Sequence, residues 1–187
     1  MRDDLMEIRI HGRGGQGNVV AAYLLAEAAI EAELFAQAFP FFGAERRGAP
    51  VTAFVRFAKF PFKRRSAIEH PWALIVQDSH LLNLPETTQG FDPNGILIVN
   101  TGRTKEVTGA YSGKTIAFPA TAMAEEMLGR PIPNVALIAA LMGALNLFPL
   151  EGLEKALKRR FPDAIAEKNM AMAKKSYELG GKLYAST

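Results

Sequence analysis

Three features of the sequence predict an α/β domain in three layers, with a mostly parallel or mixed sheet and a helical C-terminal third. The N-terminal segment reads strand, glycine turn, helix. The middle of the chain is a series of short apolar runs bounded by turn residues, and from Thr121 onward apolar residues recur at helical spacing. At 187 residues the chain suits one domain over residues 1–187, a size that buries about 70% of the surface its unfolded form exposes. No internal repeat, low-complexity stretch or linker divides it.

Each element has its own warrant. Residues 7–11 alternate as a half-buried strand does, and Gly12-Arg13-Gly14-Gly15-Gln16-Gly17 follows directly. Val19, Val20, Tyr23, Leu24, Ala28 and Ile30 then mark one helix, with no Pro before position 40. Residues 34–39 read as a second strand stopped by Pro40, a loop runs through Pro50, and residues 51–57, rich in Val, Thr and Phe, read as a third strand. Pro61 and the charges of residues 59–65 predict a turn or an edge. Residues 73–77 and 96–100 have the pattern of buried strands in a helix-flanked sheet, and 115–118 is a sixth candidate. Helices follow over 122–128, 134–147, 150–161 and 164–179, with Asn134 and Asp163 at N-cap positions and Pro133, Pro149 and Pro162 as punctuation. Strand and helix alternating behind a glycine turn make the domain Rossmann-like.

Composition excludes several chemistries. There is no cysteine, so this polypeptide supplies no disulfide, no thiolate nucleophile and no Cys ligand for zinc or an iron–sulfur cluster. His11, His70 and His80 show no i, i+4 pairing, which argues against a zinc site. The formal net charge is only +3, a mixed surface rather than a nucleic-acid footprint. Met1-Arg2-Asp3-Asp4 offers no basic start to an export signal, so a cytoplasmic location is expected. The longest apolar run, 135–145, falls short of the roughly 20 residues that span a bilayer, and no membrane segment is expected.

Two motifs carry chemistry. Gly12, Gly14 and Gly17 have G-x-G-x-x-G spacing between a strand and a helix, where residues without Cβ allow positive φ and free N–H groups favour an anion. The same spacing also serves a tight turn that binds nothing. A dinucleotide site further wants an acid at the end of the second strand, and here that strand ends in Gln37-Ala38-Phe39-Pro40. Glu45-Arg46-Arg47-Gly48-Ala49-Pro50 places two guanidinium forks and a carboxylate in one loop, suited either to an anion or to an internal ion pair. Lys59, Lys63, Arg64 and Arg65 alternate with Phe60 and Phe62; a solvated edge explains them better than single-stranded nucleic acid. Asp78-Ser79-His80 has the letters of a hydrolase triad without a G-x-S-x-G elbow and carries little weight. Met123, Met127, Met142, Met170 and Met172 read as fillers between helices.

The glycine segment from His11 to Gly17, with Gln37-Ala38-Phe39-Pro40 and Phe42-Gly43-Ala44-Glu45-Arg46-Arg47-Gly48-Ala49-Pro50-Val51, strongly resembles the gamma subunit of 2-oxoacid:ferredoxin oxidoreductases of the pyruvate synthase type. The similarity continues through Arg65-Ser66, Gly95-Ile96-Leu97-Ile98-Val99-Asn100-Thr101, Gly129-Arg130-Pro131-Ile132 with Asn134, and Glu167-Lys168-Asn169. Asn18, Val135 and Ala139 depart from the family's usual residues, which leaves the 2-oxoacid unassigned.

The resemblance implies a non-catalytic subunit of a complex converting a 2-oxoacid and coenzyme A to an acyl-CoA and CO2, with two electrons passed to ferredoxin or another acceptor. It implies thiamine diphosphate, Mg, 4Fe-4S clusters and coenzyme A in the complex, none held by this chain alone. The implied partners are alpha, beta and delta type subunits, with neither nucleic acid nor membrane. It assigns Gly12, Arg13, Gly14, Gly15, Gln16 and Gly17 to the glycine turn, and Glu45, Arg46, Arg47 and Gly48 to a loop facing the partner or the coenzyme A. The alternative is a stand-alone nucleotide-binding Rossmann-like oxidoreductase.

Overall fold

In the computed structural model, which describes residues 5–41, 48–103, 107, 109, 111 and 113–187, six strands form one sheet. They are β1 (Met6–Arg13), β2 (Phe35–Phe41), β3 (Pro50–Ala58), β4 (Ala73–Val76), β5 (Ile96–Asn100) and β6 (Lys114–Phe118), in the order β2-β3-β1-β4-β5-β6. β1 pairs parallel with β4, β4 with β5 and β5 with β6, whereas β3 runs antiparallel to both β1 and β2. The sheet is therefore mixed. Helices are α1 (Asn18–Glu31), the single turn α2 (Pro85–Thr88), α3 (Ala120–Leu128), α4 (Asn134–Leu145), α5 (Glu151–Arg160) and α6 (Asp163–Ala185), with a 3-10 turn at Ser79–Asn83.

Period-2 alternation in β1 decides the layering. Met6, Ile8 and Ile10 face α1 and the C-terminal helices, beside Ala53, Val55 and Phe57 of β3 and Ile75 and Ile98 of the parallel strands. α4 is apolar all round and sits at the centre of this layer, with every residue from Val135 to Met142 buried. Met123, Met142, Met170 and Met172 are buried there too, with Met6. The second face is divided. Under β4 and β5, Leu74, Val76, Leu97 and Val99 pack on Leu81 and Val107. Across β1 and β3, the same face instead presents Glu7, Arg9 and His11 opposite Arg56, Phe54 and Thr52.

Three details differ from the sequence reading. β2 does not stop at Pro40 but continues to Phe41, because it is an edge strand bonded only to β3 and the missing N–H costs it no inner ladder bond. α6 runs past Leu179 through Gly180 and Gly181 to Ala185. A Cβ at Gly180 would strike the carbonyl of Ala140, and one at Gly143 the carbonyl of Tyr177, so these glycines let α4 and α6 cross closely. Asn134 and Asp163 do not cap: Pro133 and Pro162 precede the helices, and neither cap position makes a side-chain bond.

Candidate functional site

At the carboxyl end of β1 the chain reverses through the glycine turn into α1, beside the carboxyl end of the parallel neighbour β4. Sheet connections depart in opposite directions from these two strands, which is where open α/β sheets leave a crevice. Gly17 adopts φ 78° and Gly15 φ 96°, both left-handed, so the turn requires glycine there. A Cβ on Gly17 would lie 2.6 Å from the Asn134 Nδ2, and one on Gly12 would strike the amide of Asn18. Gly15 faces open space. Two of the glycines thus answer to packing, and one is exposed to whatever approaches.

The turn is braced on all sides. The Arg13 N–H donates to Gln16 Oε1 (2.7 Å) and the Gln16 N–H to the Arg13 carbonyl (3.0 Å). The Gly14 N–H donates to the Ala49 carbonyl (2.9 Å), and Arg13 Nη1 to the Gly48 carbonyl (3.1 Å). These two bonds join the glycine turn to the end of the second motif. Gly48 itself has φ 83°. Glu45, Arg46 and Arg47 lie outside the described residues.

The Nε of Arg13 donates to the Asp78 carboxylate, whose other oxygen accepts from the His80 N–H (3.0 Å) and lies 2.9 Å from His80 Nδ1. Burial pushes the Asp78 carboxyl up, but the bonds from Arg13 and His80 outweigh it and hold the group below its usual range. Arg13 is consequently committed to the protein. Asp78 was legible in the sequence only as part of an unconvincing triad; besides His80 it is bonded by Arg13, 65 residues away.

Three further polar side chains complete the crevice. Asn18 Nδ2 donates to the Val51 carbonyl (2.8 Å). Asn134, the first residue of α4, donates to the Gly17 carbonyl (3.3 Å) and accepts from the Val135 N–H (2.8 Å). Asn100, at the end of β5, donates to the Gln77 carbonyl and to Thr121 Oγ1 at 2.9 and 2.7 Å. Asn134 also lines a cavity of about 320 Å³ with Arg130, Ile132, Lys168 and Asn169, so the segments 130–134 and 168–169 meet there.

No group of acids and histidines able to hold a metal ion is present among the described residues. With no cysteine either, the residues do not fit an iron–sulfur cluster. A dinucleotide site is also poorly served: β2 neighbours β3 rather than β1, and among the described residues it ends in Phe41 with no acid to serve as a ribose partner. No helix among the described residues is long and apolar enough to cross a membrane.

The family described as pyruvate ferredoxin/flavodoxin oxidoreductase matches residues 7–179. A relative from Thermococcus kodakarensis, the pyruvate/ketoisovalerate oxidoreductases common subunit gamma, is 44% identical and aligns over 92% of this chain and 96% of its own. The crystal structure of the pyruvate oxidoreductase subunit PORC from Thermotoga maritima superposes with TM-score 0.81 at 38% identity, covering 93% of this chain and 96% of that one. The gamma subunit of a keto/oxoacid ferredoxin oxidoreductase from Geobacter sulfurreducens superposes at 0.74 with 26% identity, over 98% of each chain. A match this long, carried through the glycine turn, the mixed sheet and the C-terminal helices, shows that the chain belongs to the pyruvate ferredoxin/flavodoxin oxidoreductase family as a gamma-type subunit of a 2-oxoacid oxidoreductase.

Proposed function

We propose that this chain is the non-catalytic gamma-type subunit of a thiamine diphosphate-dependent 2-oxoacid:acceptor oxidoreductase, and that its glycine-turn crevice walls the entrance used by coenzyme A. The overall reaction takes a 2-oxoacid, coenzyme A and an oxidised acceptor to an acyl-CoA, CO2 and the acceptor reduced by two electrons. Thiamine diphosphate with Mg serves as the electron sink for decarboxylation, and 4Fe-4S clusters carry the electrons out. Both belong to alpha, beta and delta type partners: this chain has no cysteine for a cluster and no G-D-G…N motif for thiamine diphosphate. The subunit acts in the cytoplasm, with ferredoxin or another acceptor reached through the complex.

The observation that carries the reading is the pair of bonds from Gly14 to Ala49 and from Arg13 to Gly48. They tie the glycine turn to Gly48 and Ala49, the described end of the Glu45-Arg46-Arg47-Gly48 motif, and arginine side chains such as that motif's two have the charge and fork shape for a phosphate. Gly12, Arg13 and Gln16 hold the turn's shape, while Gly15 leaves room for close approach. A relative named as common to pyruvate and ketoisovalerate oxidoreductases fits a subunit that does not select the 2-oxoacid.

The test is the coenzyme A requirement of the reconstituted complex. Arg47→Ala should raise the KM for coenzyme A about tenfold, the loss of one charge-assisted contact, and leave assembly and the KM for the 2-oxoacid unchanged. Loss of assembly instead would make the loop structural. The stand-alone reading predicts saturable NADH binding by the isolated chain, which Trp72 fluorescence would report; none is expected.

A further inference from the structure

We propose that the cavity on the second face of the sheet, over β1 and β3, is a binding site for a carboxylate carried on an apolar body. It lies away from α1 and the C-terminal helices and measures about 480 Å³, a size typical of small-ligand sites. Its floor is Arg9 and His11 on β1 with Thr52 and Phe54 on β3; Phe41 and Ile68 form apolar walls.

The floor is short of an anion. Arg9 is only 7% exposed, and among the described residues its guanidinium is met by carbonyls alone: Nη2 donates to those of Thr87 (2.9 Å) and Gln89 (2.8 Å). Among the described residues no carboxylate forms an ion pair with it. Glu69 and Glu86 line the same cavity, but both are exposed on its rim. Among the described residues Arg9 Nε has no partner, and neither has His11 Nε2, although His11 is also 7% exposed. A buried cation without a counter-charge and two buried nitrogens without partners are each costly. One ligand would relieve all three.

Geometry narrows that ligand to a carboxylate. His11 Nδ1 lies 3.4 Å from Thr52 Oγ1. With the threonine hydroxyl donating to Nδ1, the imidazole hydrogen is on Nε2, and both unpartnered nitrogens are donors. Arg9 and His11 are two residues apart on one strand face, about 6.6 Å between Cα atoms, a spacing that a two-oxygen acceptor bridges. The apolar body would rest on Phe54 and Phe41, the latter 59% exposed. The carboxylate has two possible sources, a dissolved carboxylic acid or an acidic side chain of a neighbouring subunit.

Benzoate tests the site, with benzamide as its uncharged isostere. The chain has three histidines, so the 15N-labelled imidazole spectrum of the full chain separates His11 from the exposed His70 and His80. Benzoate should shift the His11 signals saturably and bind at least tenfold more tightly than benzamide. His11→Gln should weaken it at least fivefold. The wild-type comparison stands even if that variant fails to fold. Equilibrium dialysis of radiolabelled benzoate against the assembled complex then separates the sources. Binding retained on assembly assigns the site to a dissolved acid. Binding lost on assembly, with assembly itself weakened by His11→Gln, assigns it to a neighbouring subunit's acid. Equal affinity for benzoate and benzamide, or shifts confined to His70 and His80, would overturn the proposal.

Discussion

His11 concentrates the physics of the second sheet face in one side chain. Burial, and then the nearby charge of Arg9, lowers its pKa to about 3, so the folded protein holds it neutral. The unfolded chain protonates it near 6.5. Between those values the unfolded state binds the extra proton, and stability drains away as pH falls, at about 1.4 kcal/mol per pH unit. Chemical denaturation between pH 6 and 4 should therefore show this slope in the wild type, and a slope shallower by about that amount in His11→Gln. Asp78 acts at lower pH. Its carboxyl is held below the usual range, so its contribution is complete above about pH 4 and is lost as pH falls through the folded value. Asp78→Asn should cost about 1 kcal/mol at neutral pH, since Arg13 is partly exposed and water screens the pair. Neither role was visible in the sequence. Alternation placed His11 on a strand but not under a cavity, and the contact from Arg13 to Asp78 joins residues that no local pattern connects.

At the scale of elements, the glycines explain both what was readable and what was not. The turn from Gly12 to Gly17 was legible because its left-handed positions must be glycine and its flanks change period from 2 to 3.6. Gly17→Ala should cost about 2 kcal/mol in denaturant unfolding, combining strained φ with crowding of Asn134. Gly180 follows the opposite logic. Glycine is a poor helix former, yet α6 passes through it because the carbonyl of Ala140 on α4 occupies the space of a Cβ. Propensity yielded to tertiary packing. Gly180→Ala, which would strengthen an isolated helix, should instead destabilise the protein by about 3 kcal/mol, measured by thermal or denaturant melting. Pro40 belongs to the same class: its strand survives because it is at the edge, and edge position is set by strand order rather than by local sequence.

The whole molecule divides its surfaces by chemistry. One sheet face is sealed by helices, with the apolar α4 at the centre, and the period-2 and period-3.6 patterns were enough to predict that layer. The strand order was not predictable, because nothing local states that β3 returns antiparallel between β1 and β2. The remaining surfaces suit contact. The glycine-turn crevice presents loop ends from β1, β3 and β4, and Phe35, Phe41 and Phe60 are 49%, 59% and 44% exposed, which suits a subunit more than a free-standing enzyme. With no cysteine, the chain supplies no ligand for a Cys-held cluster, so under the proposed function any such cluster is carried by other subunits. Purified alone, it should be colourless above 350 nm, without the broad absorption of iron–sulfur clusters. The most direct measurement is reconstitution by omission, following 2-oxoacid- and coenzyme A-dependent reduction of ferredoxin by the partner subunits with and without this chain. The account predicts no turnover by the chain alone, and full turnover of the complex only when it is present. Turnover of a 2-oxoacid by the isolated chain, or an undiminished rate in the complex lacking it, would contradict the account.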